Sequence, residues 1–100
     1  MGSPLSAVEI QAELQHLAGW ELQDHALVKS FVFPNFEAAI EFMSDAVPAI
    51  EALNHHPEWT NVYNAIAVRL TSHEAGNRIT ADDITLAQLL EERFEPESPS

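Results

Sequence analysis

The residues with most scope for chemistry form one run, Asn54-His55-His56-Pro57-Glu58-Trp59, followed by Tyr63, His73 and the pair Asp82-Asp83. Three of the five histidines lie between positions 55 and 73. Imidazole is the side chain best placed to give and take protons near neutral pH, so the cluster points to acid/base chemistry. Consecutive residues of a regular helix or strand point in different directions. His55 and His56 can therefore converge on one ligand only from an irregular loop. Pro57 favours such a loop: it pushes His56 toward extended backbone and removes part of the entropy of positioning it.

Each of these residues also has a plainer reading. His55 and His56 can cap the helix before them, where donors and cations meet the last carbonyls. Three histidines can hold zinc with an open fourth position, although adjacent histidines do not share a helix face as the ligand pairs of many catalytic zinc sites do. His73, in Thr71-Ser72-His73-Glu74, is either a site residue on a loop just past a strand or a surface histidine. Asp83 stands three positions after Thr80, where capping and the helix dipole account for an acid. Glu51, Trp20 and Trp59 read equally as a solvated acid and two core aromatics. His16 and His25 fall outside the run, on a helix surface and in a turn.

The elements that must position these residues follow from local signals. Ser6 and Glu9 form a capping box for a helix running to about Leu17 and stopping at Gly19, with Leu5 able to staple onto Ile10. Trp20 to Gln23 and Ala26 to Phe33 are β-prone and flank the turn residues Asp24-His25, which predicts a hairpin. Asn35 caps a second helix that continues to Leu53. Its positions Phe36, Ile40, Met43, Val47 and Ile50 keep helical spacing and are expected to face inward, with a kink near Ser44 to Pro48 or a division into two helices. From Thr60 to Thr71 the alternation is that of a strand, longer than usual, with a possible break at Asn64. Thr80 and Asp83 form a second capping box, opening a helix that carries Ile84, Ala87, Leu90 and Phe94 inward. Helices separated by strand pairs argue an α+β fold with helices on one face of an antiparallel sheet. Three strands are evident, and a fourth requires the split at Asn64.

Composition narrows the function. One hundred residues with 46% hydrophobic content and no cysteine suit a single domain, 1–100, held by core packing alone, with residues 1–4 and 95–100 as flexible tails. Four Lys plus Arg against sixteen Asp plus Glu give a formal charge of −12, which repels phosphate backbones and anionic lipid surfaces. Direct nucleic-acid binding is disfavoured. No apolar run approaches the roughly 20 residues that span a bilayer, and no secretory leader is evident, so a cytoplasmic location is the expectation.

In order, Glu51-x3-His55-His56-Pro57-x5-Tyr63-x9-His73-x8-Asp82 resembles the signature of the pterin-4a-carbinolamine dehydratases and spans about a third of the chain. The resemblance implies a four-stranded antiparallel sheet with three helices on one face, and assembly into homodimers or homotetramers. It implies dehydration of a 4a-hydroxytetrahydropterin, such as 4a-hydroxytetrahydrobiopterin, to quinonoid dihydropterin and water, in recycling the pterin of aromatic amino acid hydroxylases. Neither metal nor cofactor is implied. By carry-over, His55, His56 and His73 are the catalytic cluster. Pro57, Ser72, Glu74 and Ala75 fall in segments that line the pterin, and Asp83, Glu51 and Trp20 give possible support. The chain departs from the pattern at Asn54, where many relatives have Asp, and at Asp82, a position often Arg. It also has an extra residue in Ala75 to Ile79, where Arg78 can supply a compensating charge. The rival reading is a non-catalytic binding or assembly module, since some relatives lack the histidines and animal members also partner a nuclear homeodomain factor. Retention of all three histidines favours the enzyme.

Overall fold

Two tight turns with positive φ organise the sheet. Asp24 (φ 47°) and His25 (φ 63°) join β1 (Glu21–Gln23) to β2 (Ala26–Val32), as the short polar residues of a primed hairpin turn do. Tyr63 (φ 52°) leads the turn at Asn64 that splits the long alternating segment into β3 (Glu58–Val62) and β4 (Ala65–Leu70). The fourth strand is thus real, and β3 begins two residues earlier than the alternation suggests. All neighbours pair antiparallel in the order β1-β2-β4-β3. Three helices complete the α+β fold in this computed structural model, which describes residues 3–94: α1 (Ala7–Leu14), α2 (Phe36–Leu53) and α3 (Ala81–Arg93). Residues 1–2 and 95–100, to which the expected tails extend, lie outside the described residues.

The strand period of two sorts the side chains. Leu27, Phe31, Ile66, Val68 and Leu70 are buried toward the helices, while Ser30, Val32, Thr60, Val62 and Ala67 on the other face are exposed. One hydrophobic cluster joins the buried strand residues to Phe42 and Ile50 of α2 and to Ile84, Leu86 and Leu90 of α3. Phe31, Phe33, Phe42 and Phe94 stack within it at centroid separations of 4.9–6.3 Å. Both capping boxes are formed, Ser6 with Glu9 and Thr80 with Asp83.

Two expectations change, and one of two alternatives is ruled out. α1 ends at Leu14 rather than Leu17, because the chain tightens into three-residue closures, His16 N–H to Glu13 O (3.0 Å) and Leu17 N–H to Leu14 O (3.1 Å), before Gly19. α2 is not divided at Pro48 and runs on as one helix, with Ser44 and Pro48 both on its exposed side. The buried face of α2 is Ala39, Phe42, Ala46 and Ile50, not the stripe containing Phe36, Ile40 and Val47, which are 49%, 37% and 47% exposed. Both stripes have helical spacing. The alanines win because small side chains allow the helix axis a closer approach to its neighbours.

Candidate functional site

The site begins where α2 stops. Asn54 takes the left-handed conformation (φ 58°, ψ 41°) and its N–H closes on Ile50 O (2.9 Å) and Glu51 O (3.1 Å). Asparagine tolerates that backbone better than most residues, so the helix ends at Asn54 without help from the histidines. Residues 55–57 then cross without regular structure to β3, as the His-His-Pro run requires. His55 turns inward and is 7% exposed; His56 turns outward. His73 opens a single 3₁₀ turn, His73–Ala75, just after β4.

Every histidine of the cluster meets its own carboxylate. His55 Nε2 lies 2.7 Å from Asp83 Oδ1, His56 Nε2 2.8 Å from Glu51 Oε2, and His73 Nε2 3.2 Å from Glu58 Oε2. An ionised carboxylate only accepts, so in the His55–Asp83 and His56–Glu51 hydrogen bonds Nε2 is the donor, while His73 and Glu58 form an ion pair. The first pair is buried. Asp83 is fully buried, and its Oδ2 accepts from Ser72 Oγ (2.7 Å) and from the Thr80 N–H (2.9 Å). Ser72 Oγ also lies 2.8 Å from Thr80 Oγ1 and 3.5 Å from His55 Nε2. Among the described residues no buried side-chain polar atom lacks a partner, which is what a rigid polar network in a low-dielectric interior needs.

His55, His56 and His73 line one cavity of about 500 Å³, together with Leu53, Asn54, Thr71, Glu74 and Asp82. The volume falls within the roughly 300–1,000 Å³ of small-molecule clefts. A larger hollow of about 650 Å³ lies against the uncovered side of the sheet, where Ser30, Thr60 and Ala67 contribute, but it has no histidine. Among the described residues, His55, Glu74 and Asp82 bring one ligand atom each within 4.8 Å of one another, close enough together to hold a cation. That set is not the three-histidine group considered from spacing.

Other expected residues lie at varied distances from this cavity. Ser72 is fully buried and braces the His55–Asp83 pair, while Glu74 lines the wall and Glu51 holds His56. Pro57 and Ala75 are half-buried beside lining residues but are not themselves part of the wall. Trp20 is elsewhere: its Nε1 donates to Glu91 Oε2 (2.8 Å), and Glu91 also pairs with Lys29. Trp59 packs against the core, Tyr63 is an exposed turn residue, and Arg78 is exposed outside the cavity wall. Asp83 both caps α3 and binds His55, so its two readings hold together. Leu53, Thr71 and Glu58 were not anticipated. No local signal singles out Glu58, because its pairing with His73 depends on where β3 lies beside β4.

Known proteins resemble this chain over nearly its whole length. The family described as Pterin 4 alpha carbinolamine dehydratase matches residues 3–93. A relative from Opitutus terrae, provisionally named as a pterin-4-alpha-carbinolamine dehydratase, is 45% identical over 91 residues, covering 91% of this chain and 94% of that one. A Rhizobium etli relative with the same provisional name is 46% identical over 89 residues, covering 87% of each. The crystal structure of a "transcriptional coactivator/pterin dehydratase" from Brucella melitensis superposes with a TM-score of 0.88 at 36% identity, covering 93% of this chain and 100% of that one.

Proposed function

We propose that this chain, which belongs to the pterin 4 alpha carbinolamine dehydratase family, removes water from a 4a-hydroxytetrahydropterin by histidine acid/base catalysis. The activity is that of a hydro-lyase. The C4a–O bond breaks as the hydroxyl takes a proton from one imidazole, and the C4a=N5 bond forms as the N5 proton passes to another. The products are quinonoid dihydropterin and water, and the two transfers leave the net protonation of the protein unchanged. Positioned acid/base groups of this kind contribute about 10²–10⁴-fold.

The observation that carries the reading is the convergence of His55, His56 and His73 on one cavity, each with a carboxylate on Nε2. The pairs orient the rings before substrate arrives. His55, His56 and His73 are the proposed catalytic residues. Glu74 meets the pterin directly, and Ser72, Pro57 and Ala75 shape the segments around it. The product is of the form reduced again in tetrahydrobiopterin recycling, and the proposed place of action is the cytoplasm. Among the described residues no helix is long and apolar enough to cross a membrane.

A second copy of the chain is the proposed partner. Phe36, Ile40 and Val47 leave an apolar stripe on α2 that the monomer does not cover. The same stripe favours the rival binding-module reading. Pterin binding separates the two: titrating the protein with 7,8-dihydropterin and following the histidine ring protons by NMR should move His55, His56 and His73 together, leaving His16 and His25 in place. Saturating pterin that moves none of the three excludes the enzyme reading.

A further inference from the structure

A third carboxylate–histidine pair differs from the other two in how its acid is held. Glu58 opens β3 and faces Arg69 of β4 directly across the ladder. The strand alternation sets both on the side of the sheet away from the helices. Arg69 Nη1 donates to Glu58 Oε1 at 3.1 Å, and the other oxygen, Oε2, lies 3.2 Å from His73 Nε2. One carboxylate thus bridges a permanently charged guanidinium and an imidazole of the cavity. On its other side, His73 Nδ1 lies 2.7 Å from Asn77 Oδ1.

We infer that Glu58, anchored by Arg69, is a positioning residue that fixes the ring orientation of His73; the inference rests on the acid/base reading of that histidine. His73 is the most exposed of the three, with 70% of its side chain accessible, so packing alone does not hold it. Glu58 and Arg69 are themselves half exposed, at 46% and 42%. Exposed ion pairs contribute little to folding, so the arrangement has little structural effect to explain it. Its effect is on position: one strand register delivers the acid that holds the Nε2 edge of the ring, while Asn77 Oδ1 meets Nδ1 on the other edge.

The experiment uses the full chain with Glu58→Ala, Glu58→Gln and Arg69→Gln, read by dehydration kinetics and by ¹⁵N–¹H spectra of the histidine rings. Glu58→Ala should shift the ring resonances of His73 while leaving those of His55 in place, and lower kcat on the order of tenfold, with KM within about twofold and the melting temperature unchanged. Glu58→Gln, which keeps an accepting oxygen, should restore most of both readouts, and Arg69→Gln should act in the same direction more weakly. Wild-type His73 ring resonances and turnover in Glu58→Ala overturn the inference while leaving the histidine mechanism intact, provided that His73→Ala is slow. Full turnover in His73→Ala removes the premise and overturns both.

Discussion

His55 donates from Nε2 to a carboxylate oxygen of Asp83 2.7 Å away, while the other oxygen of the same group closes the capping box at the N-terminus of α3. One buried acid therefore joins the irregular loop after α2 to the start of α3. The helix dipole and the Thr80 N–H stabilise its negative charge, and that charge in turn orients the imidazole.

Asp83→Asn should therefore show two losses at once. The amide offers one acceptor oxygen where the carboxylate offers two, against the three donors His55, Ser72 and Thr80, so stability should fall by about 1–3 kcal/mol. Turnover should fall by about tenfold or more, or roughly 1.4 kcal/mol of transition-state stabilisation. Denaturant titration and initial rates on the same preparation check this; full turnover with reduced stability would assign Asp83 to capping alone.

Much of this was legible in the sequence because it rested on local rules. Both capping boxes, the Asp24-His25 hairpin, the split near Asn64 and the irregular backbone before Pro57 follow from side-chain hydrogen bonding and allowed φ,ψ. What could not be read depended on contacts between distant elements. The face of α2 was misjudged because Ala39 and Ala46 weigh less in a hydrophobic pattern than Phe36 and Ile40, yet close packing favours the alanines. Asp83 lies 28 positions from His55, and nothing in either segment announces the bond between them. The displacement of Trp20 to a Glu91–Lys29 cluster is equally non-local.

Exhaustive chelation tests the role of His55, Glu74 and Asp82 as a cation site. Dehydration needs only two proton transfers, so activity and melting temperature should both survive a chelator. A stoichiometric metal whose removal abolishes turnover would assign those three residues to a metal centre instead.

The stripe on α2 predicts association. Replacing Ile40 and Val47 together by Glu should shift the species seen in sedimentation equilibrium to a smaller mass with the circular dichroism of the fold retained, since both positions are outside the core. An unchanged mass would place the interface elsewhere.

The central claim is that the histidines move the protons. The most direct measurement is the initial rate of dehydration of a 4a-hydroxytetrahydropterin, above its spontaneous rate, by the His55→Ala/His73→Ala protein. Loss of about 10²-fold or more with the fold retained is the predicted result; wild-type turnover in that folded variant would contradict the account.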